Sequence, residues 1–176
     1  MDLRGSARVF LGSAFPVAVA GGVAVFTHQP WLFPSLGPMI MLQVEKPRAP
    51  ESSPRNTLLG HGVALLAGYG FLVVCGLTAH RSGLEEGVTV PRIVAAAGSL
   101  AVTTLVLLLV AAWHPPAGAT TLIVSLGLLH TPGQLAVAAG AVVLVTVVDW
   151  AYTRLAGGAM PVWSAPASQR EGAHRD

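Results

Sequence analysis

Charged side chains are scarce in this sequence. Only 10% of its 176 residues are Asp, Glu, Lys or Arg, against about 25% in an average soluble domain. A soluble protein of this length needs a polar surface, and ten basic plus eight acidic residues cannot cover one. The scarcity excludes a soluble domain and favours a chain whose surface faces lipid.

Cysteines and clustered basic residues are also nearly absent. The single cysteine, Cys75, excludes an intramolecular disulfide and a cysteine-based zinc site. The net charge is only +2 and the basic residues are scattered, so nucleic acid is not an expected partner. There is no HExxH motif, no pair of carboxylates within an apolar run and no glycine-rich phosphate loop. These absences predict a protein that is not an enzyme, with no catalytic residues, metal or cofactor.

Apolar residues, by contrast, make up 53% of the chain and occur in long runs. A membrane-spanning helix needs about 20 mostly apolar residues, and four runs meet this requirement: residues 9–27, 57–79, 93–113 and 133–155. Although Ala18-Val19-Ala20 resembles a cleavage site, we interpret the first run as a retained helix. We expect one transmembrane domain over residues 1–163 and a disordered polar tail over residues 164–176.

Two shorter apolar stretches, residues 31–44 and 115–129, are each interrupted by proline and glycine. Both follow a long run and lie next to a tryptophan, so the same unit of long helix, broken short element and long helix occurs twice. The two copies, residues 9–79 and 91–156, indicate an internal inverted repeat. The predicted fold is an all-α integral membrane protein, a helical bundle of four long transmembrane helices plus two short proline-broken elements.

The loop charges indicate an orientation. If the short elements cross the membrane, eight Lys and Arg residues lie inside and two, Arg81 and Arg92, lie outside. If they re-enter instead, the division is seven against three. The positive-inside rule therefore mildly favours six crossings in a bacterial cytoplasmic membrane, with both termini cytoplasmic.

The segment His114-Pro115-Pro116-Ala117-Gly118-Ala119-Thr120 is the sharpest functional signal. Two consecutive prolines cannot continue a helix, but the second can open one. The amides that follow would then be unpaired donors at the positive end of a helix dipole, which is a ready anion site. The expected pathway residues in this segment are His114, Pro115, Pro116, Ala117, Gly118 and Thr120.

The first broken element has a comparable sequence, with Ser35, Gly37 and Pro38 at its opening. His61 and Asn56, on the following long helix, complete the expected substrate pathway, since polar groups at membrane depth are candidates for function by default. His114 and His61 could instead hold a bend or an interhelical hydrogen bond. Asp149 is interpreted as an interfacial residue.

These residues resemble a known family. Residues 113–120 resemble the signature of the HPP family of small integral membrane proteins, named for its His-Pro-Pro triplet. The order of Ser35-Leu36-Gly37-Pro38, Pro54-Arg55-Asn56 and Gly60-His61 is similar to the family's N-terminal half, and the resemblance covers residues 10–156. Family members often carry Thr after the Gly-Pro, where this chain has Met39-Ile40-Met41, which places its substrate preference in question.

The resemblance implies four transmembrane helices, and plastid and cyanobacterial members are associated with nitrite transport. The leading hypothesis is a transporter or channel for a small inorganic anion such as nitrite, in the lipid bilayer and as a homo-oligomer, with a dimer favoured. The alternatives are a non-transporting membrane sensor or scaffold, and a transporter for an uncharged or cationic solute.

Overall fold

The computed structural model describes residues 3–165, except for the side chain of Arg4. All regular elements in this part of the chain are helical. The long helices are α1 (Leu3–Thr27), α3 (Pro54–Val74), α5 (Val90–Leu109) and α7 (Pro132–Leu155). The short ones are α2 (Leu36–Glu45), α4 (Gly83–Glu86) and α6 (Pro116–Ser125), with a 3-10 turn at Pro50–Ser52. Most of the expected disordered tail, residues 166–176, lies outside the described residues.

The four predicted long helices are confirmed, and each is long and apolar enough to cross a membrane. Two of them end earlier than predicted, α3 at Val74 and α5 at Leu109. The chain turns at Gly76, with φ +69°, and at Ala111, with φ +48°. A residue in this left-handed conformation does not continue a right-handed helix.

The start of α1, the start of α3 and the end of α7 lie at the same end of the bundle. We call this end the termini end. The Tyr152 hydroxyl donates to the Arg8 carbonyl at 3.0 Å, and the Arg55 amide donates to the Trp163 carbonyl at 2.9 Å. The Arg55 guanidinium also donates to the carbonyl of Ala111, so α5 ends at the termini end. Helices α1 and α5 therefore start at opposite ends of the bundle.

The two short helices begin inside the bundle and run in opposite directions. Helix α2 leads to the termini end, where Val44 lies against Gly12. Helix α6 leads to the other end, where the Leu126 carbonyl accepts from the Gly83 amide at 2.8 Å. Each short helix, with the broken segment before it, thus passes from one end of the bundle to the other.

A stripe of small residues on α3, Gly60, Ala64 and Gly68, is buried and faces α6. A Cβ added at Gly68 would lie 2.8 Å from the Cβ of Val124. Close approach of helix backbones is the main source of helix association in lipid. The stripe therefore places α6 in the centre of the fold, against α3.

Arg92 lies in the first turn of α5 and is only 2% exposed, although the sequence suggested an outside loop. Its guanidinium donates to the Arg81 carbonyl at 2.8 Å and, more weakly, to the Ser125 carbonyl at 3.4 Å. Ser125 ends α6, so the buried cation sits at the negative end of a helix dipole. Gly127, with φ +82°, makes room, since a Cβ there would lie 2.9 Å from the Arg92 Nη1.

Candidate functional site

Four buried polar side chains form one continuous line of hydrogen bonds that ends on a backbone carbonyl. His114 Nδ1 lies 2.7 Å from the Glu51 carbonyl, and His114 Nε2 lies 3.2 Å from His61 Nε2. His61 Nδ1 lies 2.7 Å from Thr120 Oγ1, which lies 2.6 Å from Ser35 Oγ. Each of the four side chains is at most 1% exposed. We call this set, His114, His61, Thr120 and Ser35, the relay.

The carbonyl at one end determines the direction of the relay. A carbonyl can only accept, so the hydrogen on His114 is at Nδ1, and in the neutral ring Nε2 is an acceptor. His61 must therefore donate from its Nε2, which leaves its Nδ1 to accept from the Thr120 hydroxyl. Thr120 in turn accepts from Ser35. Every hydrogen of the neutral relay points toward Glu51.

His114 belongs to a non-helical segment that the start of α3 holds in place. The Asn56 side-chain amide donates to the Trp113 carbonyl at 3.2 Å, and the Arg55 guanidinium donates to the carbonyls of Val110 and Ala111. Ala111 has a φ of +48°, which is uncommon for a residue with a Cβ. The Pro-Arg-Asn sequence therefore positions the segment that carries His114.

Gly60 lets His114 approach α3. A Cβ at this position would lie 2.9 Å from the His114 Cβ, which is too close, and 3.2 Å from its Cδ2, which is tight. The absence of a side chain at Gly60 therefore allows the two imidazoles to meet at the adjacent His61. Their ring centroids are 5.0 Å apart with an edge-on geometry.

Ser35 precedes the first residue of α2, where a serine usually caps the helix. Its side chain makes no capping hydrogen bond and is directed to Thr120 on α6 instead. The relay thus links the opening of the first broken element to the second broken element across the interior of the bundle.

Two of the helix amides that were expected to be open to an anion, those of Ala117 and Gly118, have backbone partners. The Ala117 amide donates to the His114 carbonyl and the Gly118 amide to the Pro115 carbonyl, each at 3.0 Å. The reason is that Pro115 has helical angles, φ −53° and ψ −36°, so its carbonyl already points along the helix that Pro116 opens. The Gly37 amide is similarly occupied, because it donates to the Pro34 carbonyl.

The predicted pathway residues therefore divide into two groups. The structure brings together His114, His61, Thr120 and Ser35, with Asn56 beside them. The second group lies away from these side chains. Three of its residues are exposed: Gly37 and Pro38 on the outer surface of α2, and Pro115. The others pack at the start of α6: Pro116, Ala117 and the partly buried Gly118. The Glu51 carbonyl, Arg55 and Gly60 were not among the candidates. For Gly60, the available signals were its place in the stripe of small residues and its position directly before His61.

The described residues contain no group of three His, Cys, Asp or Glu side chains that could hold a metal ion. A pair of imidazoles in hydrogen-bond contact, joined to two hydroxyls, can instead take up, hold and reorient protons. Proton relays of this kind are a common use of ionisable groups inside membranes.

Comparison with known proteins gives one match. The family model of the HPP transmembrane region matches residues 1–161. No curated protein matches the chain, and no solved structure does.

Proposed function

The chain belongs to the HPP transmembrane family of integral membrane proteins, and we propose that it carries a small inorganic anion, such as nitrite, across the membrane together with a proton. The relay is the observation that supports this proposal. It joins the two broken elements, it is buried, and it contains two groups that can hold a proton but no fixed carboxylate that would repel an anion.

Uptake of one proton would reverse the direction of the relay. If a proton arrives at Ser35, Ser35 passes its own hydrogen to Thr120, Thr120 passes its hydrogen to the Nδ1 of His61, and His61 passes its Nε2 hydrogen to the Nε2 of His114. His114 then has a hydrogen on both nitrogens and carries the charge. No hydrogen is lost or gained beyond the one that entered.

The reversed relay suits an anion. Thr120 now donates to Ser35, so the hydrogen on the Ser35 hydroxyl is free to donate away from the relay. An anion bound to that hydroxyl would offset the buried positive charge on the imidazole pair. Anion and proton therefore each favour binding of the other, and by the same factor.

The arrangement in the membrane is part of the proposal. We propose six crossings, with the halves at residues 9–79 and 91–156 related as an inverted repeat. The opposite starting ends of α1 and α5, and the opposite directions of α2 and α6, support this. We also propose that the termini end faces the cytoplasm of a bacterium. The positive-inside rule favours this orientation, because four basic residues belong to that end: Arg8, Lys46, Arg48 and Arg55.

We further propose that the protein is a homodimer. On the outer face of α2, Gly37 and Pro38 are exposed and Met41 is 68% exposed. This apolar face, with a glycine in it, would allow close approach of a second copy. The mass of the purified protein in detergent should be that of two chains, and Gly37→Leu should shift it toward one chain. A single-chain mass for the unaltered protein in both detergent and bilayer would contradict the dimer.

Transport can be tested in liposomes that contain the purified protein and a pH indicator. We expect nitrite uptake at neutral pH to exceed that of empty liposomes, to increase when the outside is made more acidic, and to acidify the interior. His114→Ala should reduce uptake to the level of empty liposomes, because the relay loses the ring that holds the charge.

His80→Ala is the matched control, since His80 is an exposed histidine outside the relay, and it should transport normally. Absence of flux above empty liposomes for nitrite, nitrate, formate and chloride, with folded protein, would overturn the proposal. That result would favour the alternative of a non-transporting membrane sensor or scaffold.

A further inference from the structure

A second polar site lies at the termini end, apart from the relay. Gln43 on α2 is fully buried and Asp149 on α7 is 2% exposed, although Asp149 was expected at the interface. The Gln43 Oε1 and the Asp149 Oδ2 are both buried without a hydrogen-bond partner among the described residues. Buried polar atoms are nearly always paired, so each of these two acceptors on neighbouring helices lacks a donor among the described residues.

The orientation of Gln43 is defined by its amide nitrogen. Nε2 donates to the Thr57 hydroxyl on α3 at 3.2 Å, so the amide oxygen is directed away from that bond. Gln43 lines a cavity of about 240 Å³ whose other polar walls are Arg8, Glu45, Tyr152 and Thr153. Asp149 lies one helical turn before Tyr152 and Thr153 on the same face of α7. The cavity therefore reaches the turn of α7 that directly follows Asp149, at Tyr152 and Thr153.

The ionisable groups around Asp149 do not neutralise it. Helices α1, α2 and α3 pack against α7, and within the described side chains of these four helices the ionisable groups are Arg8, Glu45, Arg55, His61, Tyr69, Tyr152 and Arg154. None of them forms a hydrogen bond or ion pair with Asp149. The ion pairs among the described residues are His80–Glu86 and Arg81–Glu85, and the Arg154 guanidinium lies over the Trp150 ring at 5.3 Å.

We propose that Asp149 is a proton-binding site that exchanges with the compartment at the termini end through the cavity lined by Gln43. An unpaired carboxylate is costly in such surroundings. A metal cation needs about six oxygen ligands, whereas a proton needs one oxygen, and Gln43 and Asp149 supply one unpaired oxygen each. The inference goes beyond the proposed function, because proton binding at Asp149 does not depend on which solute the protein carries.

Dicyclohexylcarbodiimide provides a direct test on the full-length protein in detergent. This apolar reagent adds to protonated carboxyls, and the adduct retains all atoms of both partners. We expect an adduct that peptide mapping assigns to Asp149, with labelling that falls as the pH rises. Asp149→Asn should lose the adduct, whereas Glu85→Gln, which alters an exposed carboxyl, should retain it.

Two further measurements make the test decisive even if Asp149→Asn folds poorly. In the unaltered protein, the infrared band of a protonated carboxyl should be present at neutral pH and disappear in alkali. Exchange of potassium for sodium in the buffer should leave labelling unchanged. Protection by sodium would overturn the assignment in favour of a sodium site, and absence of an adduct on Asp149 at every pH would overturn it altogether.

Discussion

Thr120→Val is expected to reduce proton-coupled nitrite uptake strongly while the protein still folds. Valine has nearly the shape of threonine but no hydroxyl, so His61 Nδ1 and Ser35 Oγ each lose their relay partner. Both groups are buried, and leaving a buried polar group unpaired costs about 1–3 kcal/mol. Since about 1.4 kcal/mol is a tenfold change, we expect uptake to fall by about tenfold to a hundredfold. The measurement is the initial rate of uptake into liposomes, with internal acidification recorded in parallel.

The adjacent residue supplies the control. Thr121 is also buried, and its hydroxyl contacts Thr103 at 2.9 Å and the Ala117 carbonyl at 3.1 Å, but it is not part of the relay. Thr121→Val should therefore lose a similar amount of stability in an SDS titration and keep its transport. Thr120→Ser, which restores the hydroxyl, should recover most of the uptake.

The comparison distinguishes a relay from ordinary helix packing. If both valine variants lost transport equally, the loss would follow from weakened contacts of α6 and not from the interrupted relay. If Thr120→Val transported normally, protons and anions would not use this route. Either result would contradict the mechanism without requiring that the protein fail to fold.

The long helices and the two breaks were predictable because their causes are local. A run of about 20 apolar residues is itself the signal for a spanning helix, and the ring of Pro115 prevents continuation of α5 by sterics alone. The helix ends were less accurate. Whether a chain turns at Ala111 depends on a left-handed conformation that alanine rarely adopts, and the Arg55 side chain, which contacts that residue, lies 56 positions away.

The relay itself was predictable only as separate residues. His61 and His114 were both candidates, but their contact spans 53 positions of sequence and depends on how α3 packs against the segment before α6. The Gly118 amide is occupied for a local reason, since the helical angles of Pro115 already direct a carbonyl at it. No rule of sequence reading separates this case from an open helix start.

The exposure of Gly37 and Pro38 was hard to predict for a different reason. In water, the polar face of an amphipathic helix marks its outer side. In lipid, the outer side is apolar too, so the periodicity of α2 contains little information about which face is buried. The burial of Arg92 was equally hard to predict from sequence, which assigns this residue to a loop. Its side chain is long enough for the guanidinium to reach the carbonyl of Ser125 inside the bundle.

Gly60→Ala is expected to have the second large effect, through geometry and not through loss of a polar group. The added methyl would lie 2.9 Å from the His114 Cβ. His114 cannot simply retreat, because its Nδ1 is bonded to the Glu51 carbonyl and Asn56 holds the preceding residue, Trp113. Overpacking of this kind costs about 1–3 kcal/mol, and displacement of His114 would lengthen its 3.2 Å contact with His61. We expect a matching loss of stability in SDS and loss of coupled uptake.

Gly62→Ala is the matched control, two residues along the same helix and on the other side of His61. A Cβ at Gly62 meets nothing within 4 Å, and alanine is preferred over glycine inside a helix by about 1 kcal/mol. This variant should be as stable as the unaltered protein or slightly more so, with normal uptake. Nitrogen NMR of labelled imidazoles adds an independent readout, since only Gly60→Ala should change the His61 and His114 signals. If Gly60→Ala transported as well as Gly62→Ala, the contact between the two histidines would not be needed for coupling, and the proton would have to be held elsewhere.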